Sequence, residues 1–254
     1  MKTRDVGMLL DIPIDKKALS TVVNDSLTAI DERKQITFVC ANPHSMVVAQ
    51  KDPFFKTAIR NASLVVADGI GVTLMAKLVN VDLGPRITGT DYFLSLMEAL
   101  DVRGNGRVFF LGSSQEVLNK ISERLKRDYP GLTLTGMISP PFRPCSSEEN
   151  KRIIEAINSS SPDVLWVGMT APKQEKWVEE NKAKLNVPII GSIGAVFDFY
   201  AGTYPRAPEW MCKIGIEWVY RLFKEPRRMW RRNFISSPMF VFLVTWRHMF
   251  RLGS

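Results

Sequence analysis

The sequence predicts an α/β fold with a mostly parallel sheet, helices on both faces and a helical, basic appendage at the C-terminus. Three observations predict it. Short runs dense in aliphatic, β-branched and aromatic residues recur along the first 201 residues, and amphipathic stretches of helical period lie between them. Beyond residue 201, basic and aromatic side chains interleave instead. A chain of 254 residues, 45% of them hydrophobic, has ample material for one large core.

In chain order, ITFVCA at 36–41, LVVA at 64–67, RVFFL at 107–111, LTLTGM at 132–137, VLWVG at 164–168 and IIGSI at 189–193 read as buried strands. Residues 115–129 and 148–158 read as helices, the second opened by the capping box Ser146-x-x-Glu149. Strand and helix in alternation predict parallel neighbours joined by right-handed crossovers. Ligands of such sheets sit beyond the carboxyl ends of the strands, so the segments after each strand are the candidate site. There is no internal repeat and no low-complexity linker. The expected division is a catalytic body, 1–201, and an appendage, 202–254.

Net charge is +8 and unevenly placed. Residues 202–254 hold ten Lys/Arg against three Glu, which is +7; the first 201 hold 24 basic and 23 acidic residues, which is +1. A near-neutral body with a basic tail predicts an acidic partner for the tail: anionic lipid, a phosphorylated substrate or nucleic acid. Cys40, Cys145 and Cys212 are widely spaced, with no CxxC pair, which fits a reducing compartment. The N-terminal apolar run is broken by Asp11 and Pro13, so neither a signal peptide nor a spanning helix is expected there, and a cytoplasmic location is.

Three segments after strands carry candidate chemistry. Asp68 follows four apolar residues and precedes Gly69 and Gly71, a turn that can present its carboxylate to a cleft as a general base or cap the next helix. Thr170 to Glu175 reads as a helix start, with Thr170 as cap and Pro172 near the first helical position. Its free amides, with Lys173 and Gln174, suit an anion or a sugar hydroxyl, and an ordinary capped helix explains the same residues. Asn42-Pro43-His44 opens a turn after the first strand. Only one other histidine exists, His248, which argues against a His-based zinc site. Gly69-x-Gly71 lacks the third glycine of a dinucleotide fingerprint, and no GxxxxGK[ST] is present. No Asp-x-Asp pair is available to hold a divalent metal under a nucleotide diphosphate, so no metal or other cofactor is expected, and the leaving group needs basic side chains or amides.

ADGIG at 67–71, RITGTD at 86–91, FFLG at 109–112, APKQEKW at 171–177, IGAVFDFYAGTYPRAP at 193–208 and IEWVYRLFKEPRR at 216–228, in this order, resemble the WecG/TagA/CpsF glycosyltransferases, glycosyltransferase family 26. The resemblance spans residues 5–232. It implies a Rossmann-like fold and a metal-independent, inverting transfer from a UDP-sugar donor to an undecaprenyl-diphosphate-linked sugar, in cell-surface polysaccharide or teichoic acid assembly. It implies that Asp68 is the base and that Arg86, Arg221 and Arg228 face the diphosphate. Asn42, His44, Gly69, Gly71, Thr90, Asp91, Lys173, Gln174, Glu175 and Arg206 are expected to contact substrate. Cys40 stands where many relatives have threonine, Pro43-His44 where Ala-Glu is more usual, and Met169-Thr170 where Leu-Gly is common, so the donor sugar stays open between an N-acetylhexosamine, glucose, a uronic acid and another hexose.

Arg221, Lys224, Arg228 and Arg231 recur at helical spacing among Trp218, Tyr220, Phe223, Trp230 and Phe234, which suits an anionic bilayer surface. The run MFVFLVTW at 239–246 is too short to span and is expected to lie in the interface of the inner face; packing on the core is the alternative. A basic-tailed nucleotide-binding regulator of nucleic acid and a soluble nucleotide-sugar hydrolase are the competing functions. The apolar run beside the charge argues against nucleic acid as partner. Assembly into a homo-oligomer stays open.

Overall fold

The computed structural model describes residues 4–252 apart from 206, 209, 212, 213, 215 and 225. Its body is a six-stranded sheet, β3 (Ile36–Ala41), β4 (Leu64–Ala67), β5 (Arg107–Gly112), β6 (Thr133–Ile138), β7 (Val164–Gly168) and β8 (Ile189–Ser192), in the order β4-β3-β8-β7-β5-β6. Every pairing in it is parallel. All six expected strands are present, with ends within a residue of expectation. The expected helices run Gln115–Asp128 and Ser147–Ser160, and Ser146 and Glu149 make the expected reciprocal cap.

An antiparallel hairpin, β1 (Val6–Leu9) and β2 (Ile12–Asp15), precedes the sheet, where the sequence reading had only a broken apolar run. Its turn residues Leu10 and Asp11 have φ of 50° and 60°, the paired left-handed conformation that matches strand twist but usually selects Asn-Gly. The hairpin is tied to the sheet through Asp15, whose carboxylate accepts from Arg4 Nε at 2.8 Å and from the Val65 amide at 2.7 Å.

Alternation along the strands sorts the core. Phe38, Val66, Phe110 and Trp166 face helices α1 (Leu19–Asp31), α5 (Gly89–Arg103), α6 (Gln115–Asp128) and α9 (Val196–Ala201). Val39 and Val65 face α2 (Pro43–Lys51), α3 (Pro53–Arg60) and α4 (Ile70–Leu78), while Phe109, Leu165 and Ile190 face α7 (Ser147–Ser160) and α8 (Lys173–Asn181). Because both faces are covered, the central strands are apolar throughout rather than alternating.

After α9 the chain forms short helices Glu217–Lys224 and Pro226–Trp230, a π-helical segment Arg231–Ser236 and a last helix Ser237–Leu252. The last helix buries Phe240 and Val244 in the same cluster as Val72 and Met75 of α4, and Arg247 bonds Asp11 and Gln50. Its other side leaves Phe242, Trp246, Met249 and Phe250 exposed. The tail therefore packs on the body and presents an apolar face at once. No helix of the described residues is long and apolar enough to cross a membrane.

Candidate active site

The carboxyl ends of β3, β4, β7 and β8 open into one cavity of about 410 Å³, and the tail forms its outer wall. Asn42, leaving β3, caps α2: its Oδ1 accepts from the Ser45 amide at 2.9 Å, and Ser45 Oγ accepts from the Asn42 amide. This places His44 in the first turn, where its Nδ1 lies 2.8 Å from Ser236 Oγ of the tail. Burial, with Arg232 nearby, pulls His44 down to about 4, so the ring is neutral at pH 7.

Asp68 follows β4, its amide bonded to Ala41 O at 2.9 Å. Gly69 takes φ of 92° and is itself the cap residue of α4, with no side-chain cap, so the Asp68 carboxylate is left to the cavity rather than spent as a helix cap. A Cβ on Gly71 would meet Pro43 Cγ at 3.3 Å, a tight contact. Burial and the negative Glu217 raise Asp68 to about 6, against the opposing pull of Arg86 and Arg221. A carboxylate so poised is ionised at neutral pH yet basic enough to take a proton. Arg221 also lies over the Phe199 ring, 5.1 Å from its centroid.

The β7 side supplies a buried polar pair. The Ala171-Pro172 bond is cis and α8 begins at Lys173. Thr170 is not the cap expected of it: the cap position falls to Pro172, without a side-chain bond, and Thr170 instead accepts the Lys173 amide on its carbonyl. Gln174 (5% exposed) donates to Glu175 (4% exposed) at 2.9 Å, leaving Gln174 Oε1 and Glu175 Oε2 buried at the cavity without a partner. Ser192 Oγ, also in the wall, is likewise unpartnered. Burial raises Glu175 to about 7 and Cys40, also in the wall, well above the ordinary thiol range. Orphaned buried polar atoms around a cavity are what a hydroxyl- and amide-rich ligand satisfies.

Of the expected site residues, Asp68, Arg86, Arg221, Asn42, His44, Gly69, Gly71, Thr90, Gln174 and Glu175 line this cavity. Asp91 does not: it closes the cap of α5, donating its amide to Thr88 Oγ1 at 3.1 Å and accepting from the Thr88 amide. Lys173 does not either; it is exposed, and its Nζ reaches Phe142 O at 3.3 Å. Arg206 and the Arg228 side chain lie outside the described residues. Sequence reasoning did not single out Glu217, Arg232 and Asn233, all in the wall. The i, i+4 spacing of Glu217 and Arg221 was the available signal. Among the described residues no three of His, Cys, Asp or Glu are placed to hold a metal ion.

A family profile described as "Glycosyl transferase WecG/TagA/CpsF family" matches residues 8–253. The chain is 31% identical over 244 residues to an N-acetylglucosaminyldiphosphoundecaprenol N-acetyl-beta-D-mannosaminyltransferase of Bacillus spizizenii, covering 96% of this chain and 91% of that one. It is 27% identical to proteins of the same description from Bacillus subtilis, over 87% of each chain, and from Staphylococcus aureus, over 93% of this chain and 91% of that one.

Proposed function

The chain belongs to the WecG/TagA/CpsF family of glycosyltransferases, and from that membership we propose that it moves an N-acetylhexosamine from UDP to the sugar of a lipid-diphosphate acceptor, with Asp68 as base. The single observation that supports the assignment of roles is that Asp68, raised to about 6 and so ionised at neutral pH, shares its cavity with Arg86, Arg221 and Arg232, beside Glu217 and a Glu175 that burial raises further, to about 7. The acceptor hydroxyl oxygen attacks the anomeric carbon on the face opposite the diphosphate and its proton passes to Asp68. The bond from that carbon to the diphosphate oxygen breaks, and UDP leaves with the electron pair. One displacement inverts the anomeric configuration. The guanidinium groups meet the charge that grows on the leaving oxygen, and in a partly dehydrated cavity such fixed charges act strongly. The partnerless atoms of Gln174, Glu175 and Ser192 supply hydrogen bonds to donor hydroxyl and amide groups.

The appendage, 202–254, both completes this cavity and holds the enzyme on the inner face of the membrane. Support comes from the tail residues in the wall and from the exposed aromatic and aliphatic side chains beside tail arginines. The purified chain is tested with UDP-N-acetylmannosamine, UDP-N-acetylglucosamine and UDP-glucose against a lipid-diphosphate-linked N-acetylglucosamine, following UDP release and acceptor mass. Extension with an N-acetylhexosamine supports the reading. UDP release without extension of any acceptor favours a hydrolase instead.

A further inference from the structure

Two helices leave the cavity side by side. α4 starts at Ile70 and the last helix at Ser237, both in the cavity wall. They are joined by buried contacts of one cluster, Val72 and Met75 with Phe240 and Val244. At their far end Val79 and Val244 line a second, small depression with Leu9 and Leu10 of the hairpin. The helices therefore run in the same direction, away from Asp68, and their packing forms a seam between them.

The solvent-facing side of this helix pair is apolar. Ile70, Leu74 and Leu78 fall on one i, i+4, i+8 row of α4, a ridge of about 12 Å at 1.5 Å per residue. Leu74 is 56% and Leu78 66% exposed. The only charged residue of α4 is Lys77, whose four-carbon stem adds to an apolar surface. Beside it the last helix exposes Phe242 and Trp246 on the side away from its buried Phe240 and Val244. Single exposed leucines need no explanation, but a ridge continuous with a catalytic wall does.

We propose that the solvent-facing apolar side of α4 and the last helix is the track along which the isoprenoid chain of the acceptor leaves the cavity. The proposal rests on the lipid-linked acceptor of the preceding section. With the acceptor hydroxyl at Asp68, opposite the donor diphosphate held by the arginines, the acceptor's own diphosphate lies beyond its sugar on the Asp68 side, and the next atoms outward are hydrocarbon. α4 starts two residues after Asp68, at Ile70, so the ridge begins where that hydrocarbon emerges. An apolar track removes it from water at the exit, where a polar wall would not.

The test is kinetic, with the full chain and the double variant Leu74→Gln, Leu78→Gln. Two acceptors carry the same diphosphate-linked sugar, one on a long isoprenoid chain in neutral detergent micelles and one on a short, water-soluble alkyl chain. The track predicts a KM for the long-chain acceptor raised about tenfold, with kcat kept, and unchanged constants for the short-chain acceptor, which also reports that the variant is folded. Flotation on anionic vesicles should be unchanged. Equal constants for variant and parent on the long-chain acceptor overturn the proposal. So does a loss of flotation with no change in micellar KM, which would make the ridge a bilayer contact. No transfer by the parent chain to either acceptor would instead overturn the glycosyl-transfer reading beneath it.

Discussion

His44 Nδ1 and Ser236 Oγ lie 2.8 Å apart, so a cavity residue of the first turn after β3 holds a buried residue of the tail between Asn233 and Ser237, which line the same cavity. The pair joins positions 192 residues apart and fixes the tail over the site. His44 is kept neutral there by burial and by Arg232.

The first prediction concerns this clasp. The folded-state pKa of His44, about 4, lies below its ordinary 6.5, so the unfolded chain binds more protons between those values. The stability contributed by neutral His44 is complete above pH 6.5 and is lost as pH falls from 6.5 towards 4. His44→Gln should flatten that part of the melting-temperature profile. Ser236→Ala should cost about 1 kcal/mol at pH 7. Parallel profiles for parent and His44→Gln would remove His44 from this role.

Asp68→Asn should lower kcat by roughly 10²–10⁴-fold, the usual worth of a general base. In the parent, kcat/KM should rise with pH through about 6, where the carboxylate ionises. The variant should melt at or above the parent temperature near neutral pH, because the folded pKa of Asp68 is raised: its favourable term is complete below 3.8 and lost as pH rises through about 6. Calorimetry and acceptor-extension rates on one preparation check both halves.

Glu175→Gln should stabilise the protein most at pH 8. Burial lifts Glu175 from 4.5 to about 7, so the stability present below 4.5 is lost as pH rises through 7, and an amide of the same shape never ionises. If the buried Oε2 serves the donor, KM for the UDP-sugar should rise while kcat changes little. A melting difference that does not grow between pH 5 and pH 8 would contradict the burial argument.

Transfer should persist through exhaustive EDTA treatment, since the proposed counter-charges for the diphosphate are Arg86, Arg221 and Arg232. Arg221→Glu should depress kcat even with a soluble acceptor. Activity abolished by chelator and restored by Mg²⁺ or Mn²⁺ would replace the arginines with a metal.

A chain ending at Gly202 should melt at a lower temperature and be prone to aggregate. A tail that served only as a membrane anchor would leave a more soluble body on removal. Phe240 and Val244 are core residues, however, and their removal bares Val72 and Met75. Static light scattering and melting of the truncated chain measure the outcome.

What the sequence determined by itself is local. Apolar runs of strand length set all six strands of the sheet, the Ser146 and Glu149 cap appeared where residue spacing put it, and a carboxylate between an apolar run and two glycines proved to face a cavity. These signals are carried by neighbours along the chain. Other residues had two local uses, and only packing chose between them. Asp91 satisfies the start of α5, and Lys173 turns towards Phe142. Thr170 does not cap α8, whose cap position falls to Pro172. The tail was the largest such choice. An interfacial helix and a core-packing helix both need an apolar stripe, so MFVFLVTW reads alike for either. The tertiary structure assigns Phe240 and Val244 to the core and leaves Phe242 and Trp246 outside. That packing brings Glu217, Arg221 and Arg232 back over strand ends far earlier in the chain, a long-range contact that no local periodicity encodes.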